Sequence, residues 1–374
     1  MNESRRVDYL DMVKGIGIIL VVAGHCGYLA KDALTVIYSF HMPLFFIVSG
    51  MISCYRRDEL KPLKQVIVKR LKSLMIPYAI FSLIYLAIYG GYFCYVAGYL
   101  TPEMIMRYAI QAVSLDGMSV LWFLSALFLA ELIFFCIRKA FGKRVTYLLC
   151  FVLMIAVSLL KRHILGVFSV DSLWQTAITG FISAWLRGMI GAGFFAMGYA
   201  TMEVIHAVDE KCVQTAQGQN RERIRKLLEL LGGIVLLAAT VGLSLYNGNV
   251  ELRSMTFGKL PIYFVCAYIG TLAMIMICRG LPKLRWLSYL GINSMIIMVT
   301  HLDCQYMLIS VRVGKFFVSL SPYAKWYCLY FGMILSMTAL ELVTIYLINH
   351  FAPFLIGRYK RKNEGIWKNE GTII

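Results

Sequence analysis

Long apolar runs separated by short basic stretches set the pattern of this chain. Runs near 10–29, 36–54, 73–97, 119–137, 145–160, 188–206, 228–246, 260–278, 287–310 and 326–349 approach the length that carries a helix across a bilayer, about 20 residues. Barrel strands would show short alternating segments instead. The pattern predicts an all-α, polytopic integral membrane protein of about ten transmembrane helices. Its least regular part is 161–187, where WQTAITGFISAW reads as either a re-entrant or an interfacial helix. No internal repeat or long linker is visible, and the longest polar insertion, 207–227, is too short to fold alone. A single membrane domain over 1–374 is expected.

Charge gives the orientation. With the N-terminus placed in the cytoplasm, 27 of the 37 Lys and Arg residues fall on the inner side and 10 on the outer. That imbalance predicts both termini inside. The net charge of +17 raises nucleic acid as a partner, but the basic residues lie between apolar runs, where they serve topology and anionic lipid. No nucleic-acid partner is expected; membrane lipids are. A hydrophobic content of 60% with 15% charged residues excludes a soluble enzyme. Ten scattered cysteines without a CxxC pair argue against a disulfide framework or structural zinc. The first apolar run lacks a small-residue cleavage site and is expected to be retained.

The chemistry concentrates in the first helix. In KGIGIILVVAGH, Lys14 and His25 stand eleven residues apart, which returns them nearly to one face and separates them by roughly 16 Å along the axis. Ionisable groups at such depth face a protein interior or a wet cavity. The predicted topology sets His25, His41 and His301 at one outer depth, with Asp303 beside the last and Trp122 at the outer start of the fourth helix. His163, His206 and His350 fall in loops or at helix ends and read as ordinary.

These residues belong to segments that together resemble the membrane acyltransferase-3 family, which includes bacterial O-antigen and exopolysaccharide O-acetylases and a fucose 4-O-acetylase-like group. The segments are DYLDMVKGIGIILVVAGH, SFHMPLFFIVSG, KRLKSLMIPY, LWFLSALFLAE and LSYLGINSMIIMVTH, whereas 145–260 agrees in hydropathy only. Many members carry arginine where Lys14 stands. The resemblance implies a multi-pass enzyme of the bacterial plasma (inner) membrane. It would transfer an acyl group, mostly acetyl, from cytoplasmic acetyl-CoA to a hydroxyl of a cell-surface or lipid-linked glycan. Acetyl-CoA would be a co-substrate, and no permanently bound cofactor is implied. Some relatives carry a C-terminal SGNH hydrolase-like domain; the sequence ends shortly after the tenth run, so none is expected.

Within that chemistry each residue has a functional and a structural reading. A hydroxyl attacking a thioester must lose its proton, and an imidazole suits that work near neutral pH. His25 is the candidate general base, or a transient acyl carrier; its structural reading is a packing histidine. His41 and His301 would orient His25, bind the sugar or stabilise an oxyanion, or simply pack. A His-only metal site lacks any fixed ligand pattern, and none is expected. Lys69, Arg70 and Lys72, leading into Pro77-Tyr78, are the candidates for the phosphates of acyl-CoA; equally, they set topology. Lys14 either lines a donor tunnel or is neutralised by Asp11 and Asp8. Ser49 and Gly50 allow close helix approach, and Ser49 lacks the elbow of a serine nucleophile. Trp122 with Phe123 would stack on a sugar or mark the membrane boundary, and Glu131 reads as a structural partner for a cation. A transporter of a small solute or glycan precursor, without acyl transfer, is the alternative, and a non-catalytic partner of a glycan synthesis complex a third reading.

Overall fold

The computed structural model describes residues 7–25, 29–91, 98, 101–166, 172–215, 219–302, 306–319 and 326–358. Among them all regular structure is helical apart from one antiparallel bridge between Glu251 and Thr256. Eight helices among the described residues are long and apolar enough to cross a membrane: Lys31–Tyr55, Leu63–Gly91, Ser119–Ala140, Lys143–Gly166, Leu173–Glu210, Asn220–Asn247, Leu260–Gly280 and Gly332–Phe351. The protein is an all-α polytopic membrane protein.

Two of the ten expected spans differ in kind. The first is α1 (Asp8–His25), 18 residues that carry Asp8, Asp11 and Lys14 in their first two turns. The ninth is broken: α11 (Arg285–Ile292) stops at Asn293, and α12 (Ser294–Thr300) restarts there. The uncertain stretch 161–187 also resolves. WQTAITGFISAW is neither re-entrant nor separate, because it forms the first turns of α8 (Leu173–Thr215). At 43 residues α8 runs roughly 64 Å, about twice the hydrocarbon thickness. Some helices have no counterpart in the apolar runs. In α5 (Pro102–Val113), Thr101 caps the first turn by accepting from the Met104 N–H at 3.3 Å, and Pro102 stands where a missing N–H costs nothing.

The contacts divide the chain into two compact units. The first comprises 1–58 and 194–345. In it α1 packs on α2 (Lys31–Tyr55), α10 (Leu260–Gly280), α11 and α12, and α10 packs on α2 and α9 (Gln219–Asn247). Small residues let these backbones approach. A Cβ on Gly291 would collide with the Asp11 carbonyl, and one on Gly15 with that of Leu287, so α1 and α11 meet almost backbone to backbone. Gly50 and Gly198 do the same for α2 and α8, against Phe195 and Ile47 respectively.

The second unit comprises 59–193 and 346–373. Its centre is α6 (Trp122–Ala140), packed on α3 (Leu63–Arg70), α7 (Lys143–Gly166) and a π-helical turn, Leu71–Met75, that leads into α4 (Ile76–Ile88). Pro77 follows that turn directly and has no N–H to give the Ser73 carbonyl, so the wide turn falls where the regular ladder is interrupted.

Candidate active site

Three histidines come together in the first unit. The rings of His25, at the end of α1, and His301, just after α12, lie 5.2 Å apart between centroids and are tilted by 38°. His41, in α2, is reached through Tyr38, whose ring meets it edge-on at 5.0 Å. The Tyr38 hydroxyl in turn donates to the carbonyl of Gly24, next to His25, at 3.3 Å. His41 and His301 are buried, whereas His25 is only half-buried. Of the three, His25 is the most accessible. Asp303 lies outside the described residues.

Helix geometry fixes two of the tautomers. His301 Nδ1 lies 2.9 Å from the Ile297 carbonyl, and His41 Nδ1 lies 2.8 Å from that of Ile37. A carbonyl can only accept, so each Nδ1 carries the proton and each neutral ring presents a lone pair at Nε2. His301 Nε2 is buried and makes no hydrogen bond among the described residues. An unspent acceptor beside another imidazole is suited to receiving a proton or steadying its neighbour's positive charge.

At the other end of α1, Lys14 is buried and its ammonium pairs with Asp11 at 2.9 Å. Asp8 does not join them; it pairs with Lys283 at 2.7 Å. The acidic series expected to neutralise Lys14 is therefore split between two cations. Ser49 is buried within α2.

The remaining candidates sit in the second unit. Arg70, expected at the donor phosphates, is instead 2% exposed and forms an ion pair with Glu131, itself 1% exposed. A guanidinium drawn into an apolar bundle needs a counter-charge, and Glu131 supplies it. Lys69 is half-buried and Lys72 exposed. Trp122 is buried under the Arg187 guanidinium, 5.7 Å above its ring, and Arg187 pairs with Asp116. That stacking uses the face on which a sugar would lie.

Residues 7–347 match the family described as an acyltransferase domain. The chain belongs to the acyltransferase-3 family. No curated protein and no solved structure matches it. The protein is accordingly a multi-pass membrane acyltransferase.

Two features of this acyltransferase escaped the sequence reading. Glu341, in α14 (Trp326–Phe351), is buried and accepts from the Thr300 hydroxyl at 2.8 Å, beside His301. An acid inside the tenth apolar run was the signal for it. Tyr38 carried no such signal, because its role depends on elements distant in sequence. Among the described residues no group of three His, Cys, Asp or Glu side chains is arranged to hold a metal ion.

Proposed function

We propose that this acyltransferase moves an acetyl group from cytoplasmic acetyl-CoA, a co-substrate, to a hydroxyl of a cell-surface or lipid-linked glycan at the plasma membrane of a bacterium. The observation that carries the reading is the half-buried His25 backed by the unpartnered Nε2 of His301. As the glycan oxygen bonds to the thioester carbonyl carbon, its proton passes to His25. His301, whose ring lies 5.2 Å from that of His25 between centroids, favours the forming imidazolium through the lone pair of its Nε2. Collapse of the tetrahedral intermediate breaks the C–S bond. The proton then leaves His25 for the departing thiolate, giving ester and free CoA. His41 holds the opposite flank through Tyr38.

On the donor side, Lys69 and Lys72 attract the CoA phosphates, and Arg70 serves its helix through Glu131. Lys14, neutralised by Asp11, steadies the inner end of α1 about 16 Å from His25. The test is direct. Purified protein in liposomes is given ¹⁴C-acetyl-CoA outside and surface polysaccharide stripped of its esters by mild alkali. Acetyl ester on the polysaccharide, seen by mass spectrometry, is the expected result. Absence of ester from well-folded protein with that acceptor would overturn the reading.

A further inference from the structure

A cavity of ≈ 480 Å³ opens beside Tyr38, lined by Lys31, Thr35, Tyr38, Asn249, Glu251 and Thr256 among others. Its volume falls within the range of small-molecule sites, about 300–1,000 Å³. Half of its lining comes from the start of α2 and half from the connection between α9 and α10, which the charge pattern places on the outer side, as it does His25.

That connection is built rather than slack. Asn247 is buried and clamps both ends of it: its Nδ2 donates to the Phe257 carbonyl at 3.1 Å, and its Oδ1 accepts from the Lys259 N–H at 2.9 Å. Gly258 has φ +62° and lies against Asn247, a place with no room for a side chain. Phe257 stacks on Tyr263 at 4.8 Å, and the Lys259 ammonium sits 3.4 Å over the Tyr246 ring. Leu252, Met255 and Phe257 are buried beneath the connection, and Asn249, Val250, Glu251 and Thr256 line the cavity. Glu251 and Thr256 exchange both backbone hydrogen bonds at 2.8 Å, and the Ser254 hydroxyl donates to Glu251 Oε2 at 3.0 Å. Glu251 Oε1 makes no hydrogen bond among the described residues. Anchoring of this kind holds polar groups in place before a ligand arrives.

The set of groups is specific in its chemistry. The Glu251 carboxylate and the Asn249 amide offer acceptors, and that amide and the Lys31 ammonium offer donors. The hydroxyls of Thr35 and Thr256, whose protons go to the Lys31 carbonyl and the Ser254 oxygen, offer lone pairs to a polyhydroxylated ligand, beside the Tyr38 ring. Tyr38 also joins the cavity to the histidines, through its hydroxyl on the Gly24 carbonyl and its ring on His41. We infer that this cavity is the carbohydrate acceptor subsite. Glu251 and Asn249 grip sugar hydroxyls, and Tyr38 is the positioning residue that sets the acceptor against His25. This inference rests on the proposed acetyl transfer to a glycan.

The experiment measures binding and turnover separately on the full chain in detergent, using the alkali-deacylated polysaccharide as probe. Titration calorimetry with wild type, Glu251→Gln and Thr256→Val reads polysaccharide affinity. Initial rates read KM for polysaccharide and for acetyl-CoA. Expected are a ten-fold or larger loss of affinity and a matching rise in polysaccharide KM for Glu251→Gln, a smaller one for Thr256→Val, and an unchanged acetyl-CoA KM. Ester formation with wild-type polysaccharide affinity in both variants would overturn the subsite while leaving the proposed function standing. Polysaccharide binding that weakens in Glu251→Gln, without any ester from wild type, would retain the subsite and overturn acetyl transfer. An equal rise in acetyl-CoA KM would also overturn the subsite, because the variant would then act on the fold as a whole.

Discussion

Two sets of buried ionisable groups, one in each unit, stand in different states. In the second unit Arg70 and Glu131 are each other's counter-charge, both almost wholly shielded from solvent. In the first unit His301 and His41 each bond through Nδ1 to the carbonyl four residues back, and among the described residues His301 Nε2 has no hydrogen-bond partner. An ion pair that neutralises itself has no capacity left for a substrate. A neutral ring with one lone pair unspent does. Burial of an ionisable residue in a membrane bundle therefore does not mark chemistry by itself; the unspent acceptor does.

The comparison can be broken by mutation. The largest effect falls on His25→Ala, which should lower acetyl transfer by about 10²–10⁴-fold, the usual contribution of a general base, with thermal stability near wild type. Glu131→Ala should do the reverse. Leaving Arg70 buried without its partner costs about 3–5 kcal/mol, so thermal unfolding in detergent should fall sharply while activity per folded molecule is retained. The double change Arg70→Leu with Glu131→Leu should recover most of that stability, since well-packed apolar residues replace a buried pair at little cost. Recovery of stability in the double variant without recovery of activity would give this pair a catalytic share and erase the contrast.

Smaller changes sharpen it. His301→Leu removes the lone pair behind His25, and the turnover number should fall about 10-fold, in line with the roughly 1–3 kcal/mol attached to one buried hydrogen bond. The KM for acetyl-CoA should stay put. Lys69→Ala with Lys72→Ala should raise the acetyl-CoA KM a few-fold, and added salt should shrink the difference, because contacts of exposed ammonium groups with phosphate are screened. A fall in turnover number at constant KM would contradict the phosphate role.

Much of this was readable from the chain, and the rest failed for physical reasons. Hydropathy finds a helix when apolar residues are continuous, and the eight helices among the described residues that are long and apolar enough to cross a membrane overlap visible runs. It averages over a break inside a run: the stop at Asn293, followed by Ser294, is flanked by apolar residues on both sides. It also undervalues a helix with polar insertions, as in the first turns of α8, and a short surface helix such as α5, although the Thr101-Pro102 pair is a start signal. At the site, counting along helices set His25, His41 and His301 at one expected depth, and the rings of His25 and His301 lie 5.2 Å apart between centroids. The pairing of Arg70 with Glu131 was hidden because the two are far apart in sequence, and nothing local distinguishes a paired arginine from a waiting one. Tyr38 escaped for the same reason, since the cavity it lines closes only when 249–256 folds against α2.

The most direct measurement is chemical rescue of His25. His25→Ala protein in liposomes is assayed for acetyl ester on deacylated polysaccharide, with and without free imidazole in the buffer. Restored ester formation that rises with imidazole concentration, and with the basicity of substituted imidazoles, is the predicted result. A His25→Ala protein that transfers acetyl at the wild-type rate without any imidazole would contradict the account.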